Sequence, residues 1–203
     1  CIREFTSTTN TIHHTTTIAI LPSSRRSEIS HCLPTMLEAA RAVAKNKYQI
    51  IVAAAPGIDD SFYQTYLENE ILTRNPYATL AQAKAAVVNS GTATLETALI
   101  GCPQTAVYHV AGSKCLEKFL RPIMFSIPNF TLVNIISKQE IIQELIASRF
   151  TQENVTNELQ RLLHDNAYRE QMQTNYLHLW NILGNNSASE TAAEQIITTV
   201  NQK

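Results

Sequence analysis

The sequence predicts an α/β fold organised around a doubly wound parallel sheet. Short, continuous apolar runs, typical of strands buried on both faces of such a sheet, recur along the chain. Stretches with helical spacing of apolar residues separate these runs, so that strand and helix alternate. Parallel sheets of this class bind ligands beyond the carboxyl ends of their strands. Functional residues are therefore expected where a strand passes into a helix.

The alternation places the elements in order. Apolar runs predict strands over residues 17–21, 48–55, 85–88 and 102–108. Helices are predicted up to about residue 45 and over 59–67, 77–84, 92–100, 140–147, 151–164, 167–183 and 187–200. Pro34 is tolerated near a helix start, which favours a first turn of the first helix close to that residue.

Composition excludes several classes of function. The 203 residues carry 16 basic and 17 acidic side chains, so that the net charge of −1 gives no electrostatic reason to expect nucleic acid as a partner. No apolar run reaches the roughly 18 residues that cross a bilayer, and no signal-peptide pattern opens the chain. The four cysteines form no Cys-x-x-Cys pair, which favours reduced thiols in the cytoplasm.

Three segments are predicted. Residues 1–16 are rich in Thr and Ser, lack an apolar face and are interpreted as a linker or lead-in. Residues 17–183 form the α/β domain. Residues 184–203 begin with a Gly-Asn-Asn break and continue as a helix with a modest apolar stripe, which requires another surface to cover it.

A polar junction follows the first strand. A Pro-Ser-Ser turn leads into Arg25 and Arg26 at the start of a helix. Because the helix dipole disfavours cations at that end, a functional role is favoured for one of them over a solvated pair. Arg25 lies nearer the strand and is the candidate phosphate contact.

A second junction follows the strand 85–88, where the chain continues Asn-Ser-Gly-Thr-Ala-Thr-Leu-Glu. Gly91 permits a tight turn, and the following helix start points unpaired N–H groups at a bound anion. Thr92 and Thr94 can cap the helix or donate hydroxyls. Glu96 lies one turn after Thr92 on the same face and can hold sugar hydroxyls. Together these features predict a nucleotide-sugar diphosphate site.

Two later stretches are ambiguous. Residues 112–125 form a basic, aromatic-containing amphipathic stretch, which fits either a packed helix or a segment lying on a membrane surface. Asn134 interrupts an apolar run, and a lone Asn in such a run is more often a turn or cap residue than a ligand contact.

Several segments, in order and spacing, resemble the lipid-A-disaccharide synthase family. The segments are ILPSSRRSEI at 20–29, LP at 33–34, SGTATLE at 90–96, VN at 133–134 and EL at 144–145. The resemblance extends from about residue 17 to the end of the chain. It implies a GT-B glycosyltransferase of two Rossmann-like domains, of which the C-terminal one binds the UDP part of UDP-2,3-diacylglucosamine.

The resemblance also implies a role for each candidate residue. Arg25 would contact the diphosphate, and Ser90, Gly91 and Thr92 would form its cradle. Glu96 would bind the ribose and Asn134 would line the donor site. The reaction is that of an inverting, metal-independent hexosyltransferase without cofactors, which agrees with the absence of an Asp-x-Asp sequence.

Two positions depart from the family pattern. The family usually has Pro-Gly-Ser-Arg where this chain has a serine at position 23. Gln139 stands where the family commonly has an arginine, and the missing guanidinium would weaken any phosphate contact made from that position.

The family's N-terminal half, with its acceptor site, catalytic acidic residue and most of its membrane contact, has no counterpart in these residues. The chain is therefore expected to bind donor without turnover and to contain no catalytic base. The implied acceptor is a lipid monosaccharide 1-phosphate, and the product is the β-1,6-linked disaccharide precursor of lipid A in Gram-negative lipopolysaccharide synthesis. The closing helix, residues 184–203, would cover the missing domain or a second copy in a homodimer, at the cytoplasmic side of the inner membrane.

Two alternatives remain open. Another UDP-sugar enzyme of the same architecture, a UDP-N-acetylglucosamine epimerase or an N-acetylglucosaminyltransferase of wall synthesis, would normally show more glycine at the donor loops than the five glycines here supply. A non-catalytic nucleotide- or lipid-binding scaffold belongs to another class, and would release no heat on addition of UDP.

Overall fold

The computed structural model describes residues 16–109 and 129–184, and within them six parallel strands form one sheet in the order β3-β2-β1-β4-β5-β6. The strands are β1 Thr17–Leu21, β2 Gln49–Ala53, β3 Ile71–Thr73, β4 Ala85–Asn89, β5 Gln104–Tyr108 and β6 Glu144–Ile146. The strand order reverses between β1 and β4, which confirms the doubly wound prediction.

Helices cover both faces of the sheet. They are α1 Arg26–Ala44, α2 Asp60–Gln64, α3 Pro76–Gln82, α4 Thr92–Ile100, α5 Leu132–Ser137, α6 Gln152–His164 and α7 Asn166–Leu183, with a 3₁₀ turn at Ala147–Arg149. Alternate residues of β1 join different apolar clusters. Ile18 and Ile20 pack in the cluster of α1 and α6, and Ala19 packs in the cluster of Leu80 and Val88. This alternation explains why successive residues of β1, Ile18 to Leu21, are apolar.

The structure corrects three sequence predictions. The helix predicted over 140–147 is wrong, because Glu144–Ile146 is strand β6, whose pairing with β5 overrides the helical preference of Glu and Leu. Strand β3 was not predicted, since it is only three residues long. Helix α1 begins at Arg26, so Pro34 lies inside it and not near its start.

Most of the predicted linker 1–16, the amphipathic stretch 112–125 and the closing helix 187–200 lie outside the described residues. In the described part of the chain, no helix combines the length and apolar character that crossing a membrane requires.

A buried polar network joins α5 to β6. The Asn134 Oδ1 atom accepts from the N–H groups of Ile141 and Ile142, at 2.8 and 3.1 Å, and its Nδ2 atom donates to the Ile142 carbonyl and to Glu144 Oε1, both at 2.9 Å. The Glu144 carboxylate also accepts from the N–H and hydroxyl of Thr131, each at 2.8 Å. Because these groups are buried, each depends on the others for its hydrogen bonds.

Replacement of Asn134 by Ala is expected to lower the free energy of unfolding by about 3 kcal/mol, since it takes the Asn134 acceptor from the buried Ile142 N–H and a donor from the buried Glu144 carboxylate. Thermal or urea unfolding followed by circular dichroism measures the change. Asn157→Ala, at an exposed position of α6, is the matched control and should change stability by no more than about 0.5 kcal/mol. Equal stabilities of the two variants would contradict the role of Asn134.

A second polar contact fixes α1 to the loop before β3. The Arg41 guanidinium donates from Nε to Glu70 Oε1 at 2.6 Å and from Nη2 to Glu70 Oε2 at 3.0 Å. The Glu70 side chain is only 5% exposed. Burial by itself would raise the pKa of Glu70, but the hydrogen bonds from Arg41 and from the Glu68 N–H hold that pKa below its ordinary value of 4.5.

The lowered pKa of Glu70 predicts that the stability of the fold decreases in acid. The ion pair stabilises the fold at pH values above 4.5, the ordinary pKa of the carboxyl, and this stabilisation is lost as the pH falls through the lower folded-state pKa. Glu70→Gln should lower the free energy of unfolding by about 2 kcal/mol at neutral pH. The difference in unfolding free energy between this variant and the unmodified chain should become smaller in acid. Urea unfolding at several pH values tests this, with Glu170→Gln on α7 as the control. A difference that does not change with pH would contradict it.

Candidate functional site

The fold brings the two predicted junctions to one edge of the sheet. Strands β1 and β4 are paired in parallel with Leu21 opposite Val88, so the chain leaves both strands at neighbouring points. Arg25 follows β1, and Ser90 to Thr92 follow β4. This is the point where the strand order reverses, which is the usual ligand position in a doubly wound sheet.

The start of α4 has the features of an anion cradle. The Ser90 N–H donates to the Val107 carbonyl at 2.7 Å, which ties the turn to β5. Gly91 is the N-cap residue and supplies no capping side chain. Apart from the two chain neighbours of Gly91, no described residue has a heavy atom within 4 Å of a Cβ atom built at this position, so that side of the turn is unobstructed by the described residues. Thr92 is exposed there, whereas the buried Thr94 donates its hydroxyl inward to the Gly91 carbonyl at 2.8 Å.

Arg25 is the N-cap residue of α1, and its side chain is 77% exposed. Its Nη1 atom donates to Glu28 Oε1 at 2.8 Å. An ion pair this exposed contributes little to stability, and the positive end of the helix dipole opposes a cation at this position. The Arg25 guanidinium is therefore held at the mouth of the junction without a structural requirement for it.

The Glu28 carboxylate connects the two junctions. Its Oε2 atom accepts from the Ser23 hydroxyl and, at 3.2 Å, from the amide of Asn89, the last residue of β4. Burial alone would raise the pKa of Glu28, but hydrogen bonds from Ser23, Arg25 and Asn89, together with the charge of Arg25, lower it. Glu28 therefore stays ionised while it binds both Arg25 and Asn89, the last residue of β4.

Neither Glu28 nor Asn89 was assigned a role from the sequence. The usable signal for Asn89 is a polar residue at the end of a strand that is otherwise apolar. Its Oδ1 atom accepts from the Cys32 thiol at 3.6 Å, and burial raises the pKa of Cys32 to about 11. The Cys32 side chain therefore remains a neutral thiol and acts here as a packing group.

Ser23 occupies the position where the family pattern has glycine, and its φ angle is 145°. Positive φ values in this region favour glycine because it has no Cβ. The turn is retained with serine, whose Oγ atom also accepts from the Arg25 N–H at 3.3 Å.

Glu96 lies on the second turn of α4 and is partly buried. Its Oε2 atom accepts from the Tyr77 hydroxyl of α3 at 3.4 Å. Burial, together with the charge of Glu96 and this hydrogen bond, raises the pKa of Tyr77. Tyr77 is a neighbour of the site that the sequence did not indicate.

Asn134 and Gln139 do not belong to the junctions after β1 and β4, since Asn134 is in α5 and Gln139 follows it. Asn134 is fully buried and its amide is used by the α5–β6 network, which differs from its predicted place lining the donor site. Gln139 is exposed in the turn after α5. Among residues 16–109 and 129–184, no group of three or more His, Cys, Asp or Glu side chains is arranged to hold a metal ion.

The family model described as lipid-A-disaccharide synthetase matches residues 3–197. The lipid-A-disaccharide synthase of Syntrophus aciditrophicus (strain SB) is 34% identical over 197 residues, which are 91% of this chain and 50% of that protein. That of Koribacter versatilis (strain Ellin345) is 32% identical over 197 residues, 92% of this chain and 50% of that protein. The chain thus spans about half the length of the curated relatives it matches.

Solved glycosyltransferases share the fold at low sequence identity. The glycotransferase of kitacinnamycin aligns with a TM-score of 0.55 and 13% identity over 94% of this chain and 44% of that one. SnogD from Streptomyces nogalater aligns with a TM-score of 0.53 and 19% identity over 93% of this chain and 45% of that one. These similarities establish the glycosyltransferase architecture, and the family match with its relatives shows that this chain belongs to the lipid-A-disaccharide synthase family.

Proposed function

We propose that this chain is the donor-binding part of a lipid-A-disaccharide synthase and holds UDP-2,3-diacylglucosamine during transfer of its sugar to a lipid monosaccharide 1-phosphate. The product is the β-1,6-linked disaccharide precursor of lipid A. The observation that carries the proposal is that the chain leaves the paired strands β1 and β4 at neighbouring points, toward Arg25 and toward the start of α4, where the strand order reverses.

The diphosphate binds at the start of α4. Its oxygens accept from the N–H groups of the first turn and from the Thr92 hydroxyl, in the open space in front of Gly91. Arg25 reaches the same anion from α1, and Glu28 is the positioning residue that keeps it there.

The ribose binds to Glu96. A carboxylate has more acceptor positions than the single, long hydrogen bond from Tyr77 at 3.4 Å occupies, so the remaining positions accept from the two ribose hydroxyls. Its place one turn beyond Thr92 separates ribose from diphosphate along α4.

The same groups assist departure of UDP. As the bond between sugar and diphosphate breaks, negative charge grows on the leaving oxygens. The Arg25 guanidinium and the dipole of α4 stabilise this charge in the role that a divalent cation has in other transferases. The general base that activates the acceptor hydroxyl belongs to the other half of the enzyme, so the 203-residue chain binds donor without turnover.

The remaining contacts of the enzyme are assigned to segments around this domain. The acceptor and the membrane surface are reached through the other half, at the cytoplasmic side of the inner membrane. Residues 184–203 cover that half or a second copy of the chain. The alternative UDP-sugar enzymes share the architecture, but the family match favours lipid A synthesis over them.

Calorimetry with UDP and an NMR titration with uridine test the site together. Arg25→Gln should weaken UDP binding about tenfold or more while leaving uridine unaffected, because it removes only a diphosphate contact. Glu96→Gln should weaken both ligands, because both contain the ribose.

The matched control is Arg26→Gln, which removes the neighbouring guanidinium that pairs with Asp59. It should leave UDP affinity within about twofold of the unmodified chain. If UDP gives no heat with the unmodified chain, or if Arg25→Gln and Arg26→Gln behave alike, the proposed donor site is wrong and the scaffold alternative is favoured.

A further inference from the structure

Two histidines stack at the same edge of the sheet. His31 lies on the second turn of α1, and His109 directly follows β5. Their ring centroids are 4.9 Å apart and the ring planes are within 12° of parallel. Both residues are exposed, so the pair is not part of the apolar core.

The stacked pair lies next to the phosphate cradle. The Ser90 N–H binds the carbonyl of Val107, only two residues before His109. On the other side, Cys32 follows His31 in the chain and contacts Asn89 at the end of β4. The two rings therefore join α1 to β5 across the end of the strand that leads into the cradle.

The hydrogen bond of His31 determines whether the Nε2 atom of its ring can donate or accept. The Nδ1 atom lies 2.5 Å from the Ser27 carbonyl oxygen. A carbonyl can only accept, so Nδ1 carries the proton and Nε2 of the neutral ring carries a lone pair. Such a ring repels a phosphate oxygen at Nε2. It can donate from Nε2 only as the imidazolium cation.

We propose that the His31–His109 pair is a further diphosphate contact of the donor site, and that it gains a proton when a nucleotide diphosphate sugar binds. This inference rests on the proposed function. One imidazolium ring in the stack can donate from Nε2 to a phosphate oxygen, and an anion with two negative charges beside it favours the charged form of that ring. Binding of the diphosphate and protonation of the pair therefore favour each other.

In the described part of the chain, charged and titratable groups near the pair lie on α1 and at the end of β5. Helix α1 contributes Arg25, Glu28 and the thiol of Cys32, whereas β4 contributes the uncharged amide of Asn89. Tyr108 precedes His109 on β5. The charge of Glu28 is already paired with Arg25, so the incoming diphosphate is the anion that the imidazolium charge meets.

Calorimetry of the whole 203-residue chain with UDP-N-acetylglucosamine tests the inference. The two phosphates of this probe are diesters, which do not titrate near neutral pH, so a pH dependence of binding belongs to the protein. Affinity should be about tenfold higher near pH 6 than near pH 8. The observed heat of binding should also vary with the ionisation enthalpy of the buffer, because the protein takes up protons from the buffer when the ligand binds.

His31→Gln and His109→Gln should each weaken binding near pH 6 severalfold and remove most of the pH dependence. His178→Gln, at an exposed position of α7, should change neither. Proton uptake by the unmodified chain is measured without any variant and so does not depend on how the variants fold. Binding with no proton uptake, or with histidine variants that match the unmodified chain, overturns this inference and leaves the proposed function standing. Absence of binding by the unmodified chain overturns both.

Discussion

The Glu28 carboxylate is the contact on which the geometry of the site depends. It accepts from Ser23 after β1, from Arg25 at the start of α1 and from Asn89 at the end of β4. A lone carboxylate among partly buried groups is unfavourable, but three donors and the adjacent guanidinium hold its pKa low. The same bonds that keep Glu28 ionised fix the cation of one junction beside the helix start of the other.

Much of the fold and part of the site were predictable from local patterns. Continuous apolar runs identified four strands, and the Ser-Gly-Thr turn identified the junction between β4 and α4, because both signals are contained in a few adjacent residues. Strand β6 was not identified, because Glu144–Ile146 becomes a strand only through pairing with β5. The contact of Glu28 with Asn89 joins residues that are 61 positions apart, so no local sequence pattern predicts it.

The family resemblance is correct, but the role that it implies for Asn134 differs from the contacts that Asn134 makes in the structure. The residue matches the family pattern, yet its amide is buried and holds the turn between α5 and β6. Ser23 shows the converse, since it departs from the pattern but adopts a positive φ angle of the kind that favours glycine. With glutamine at position 139, the positive charge of the proposed diphosphate site is assigned, among the described residues, to Arg25, the helix starts and the stacked histidines when they are protonated.

The junctions after β1 and β4 are proposed to form one diphosphate site. A crystal structure of the 203-residue chain soaked with UDP would show whether they do. Density for the diphosphate is expected at the N–H groups of Gly91 and Thr92, with the Arg25 guanidinium against its oxygens and the ribose hydroxyls on Glu96. Diphosphate density elsewhere on the molecule, with the start of α4 empty, would contradict it.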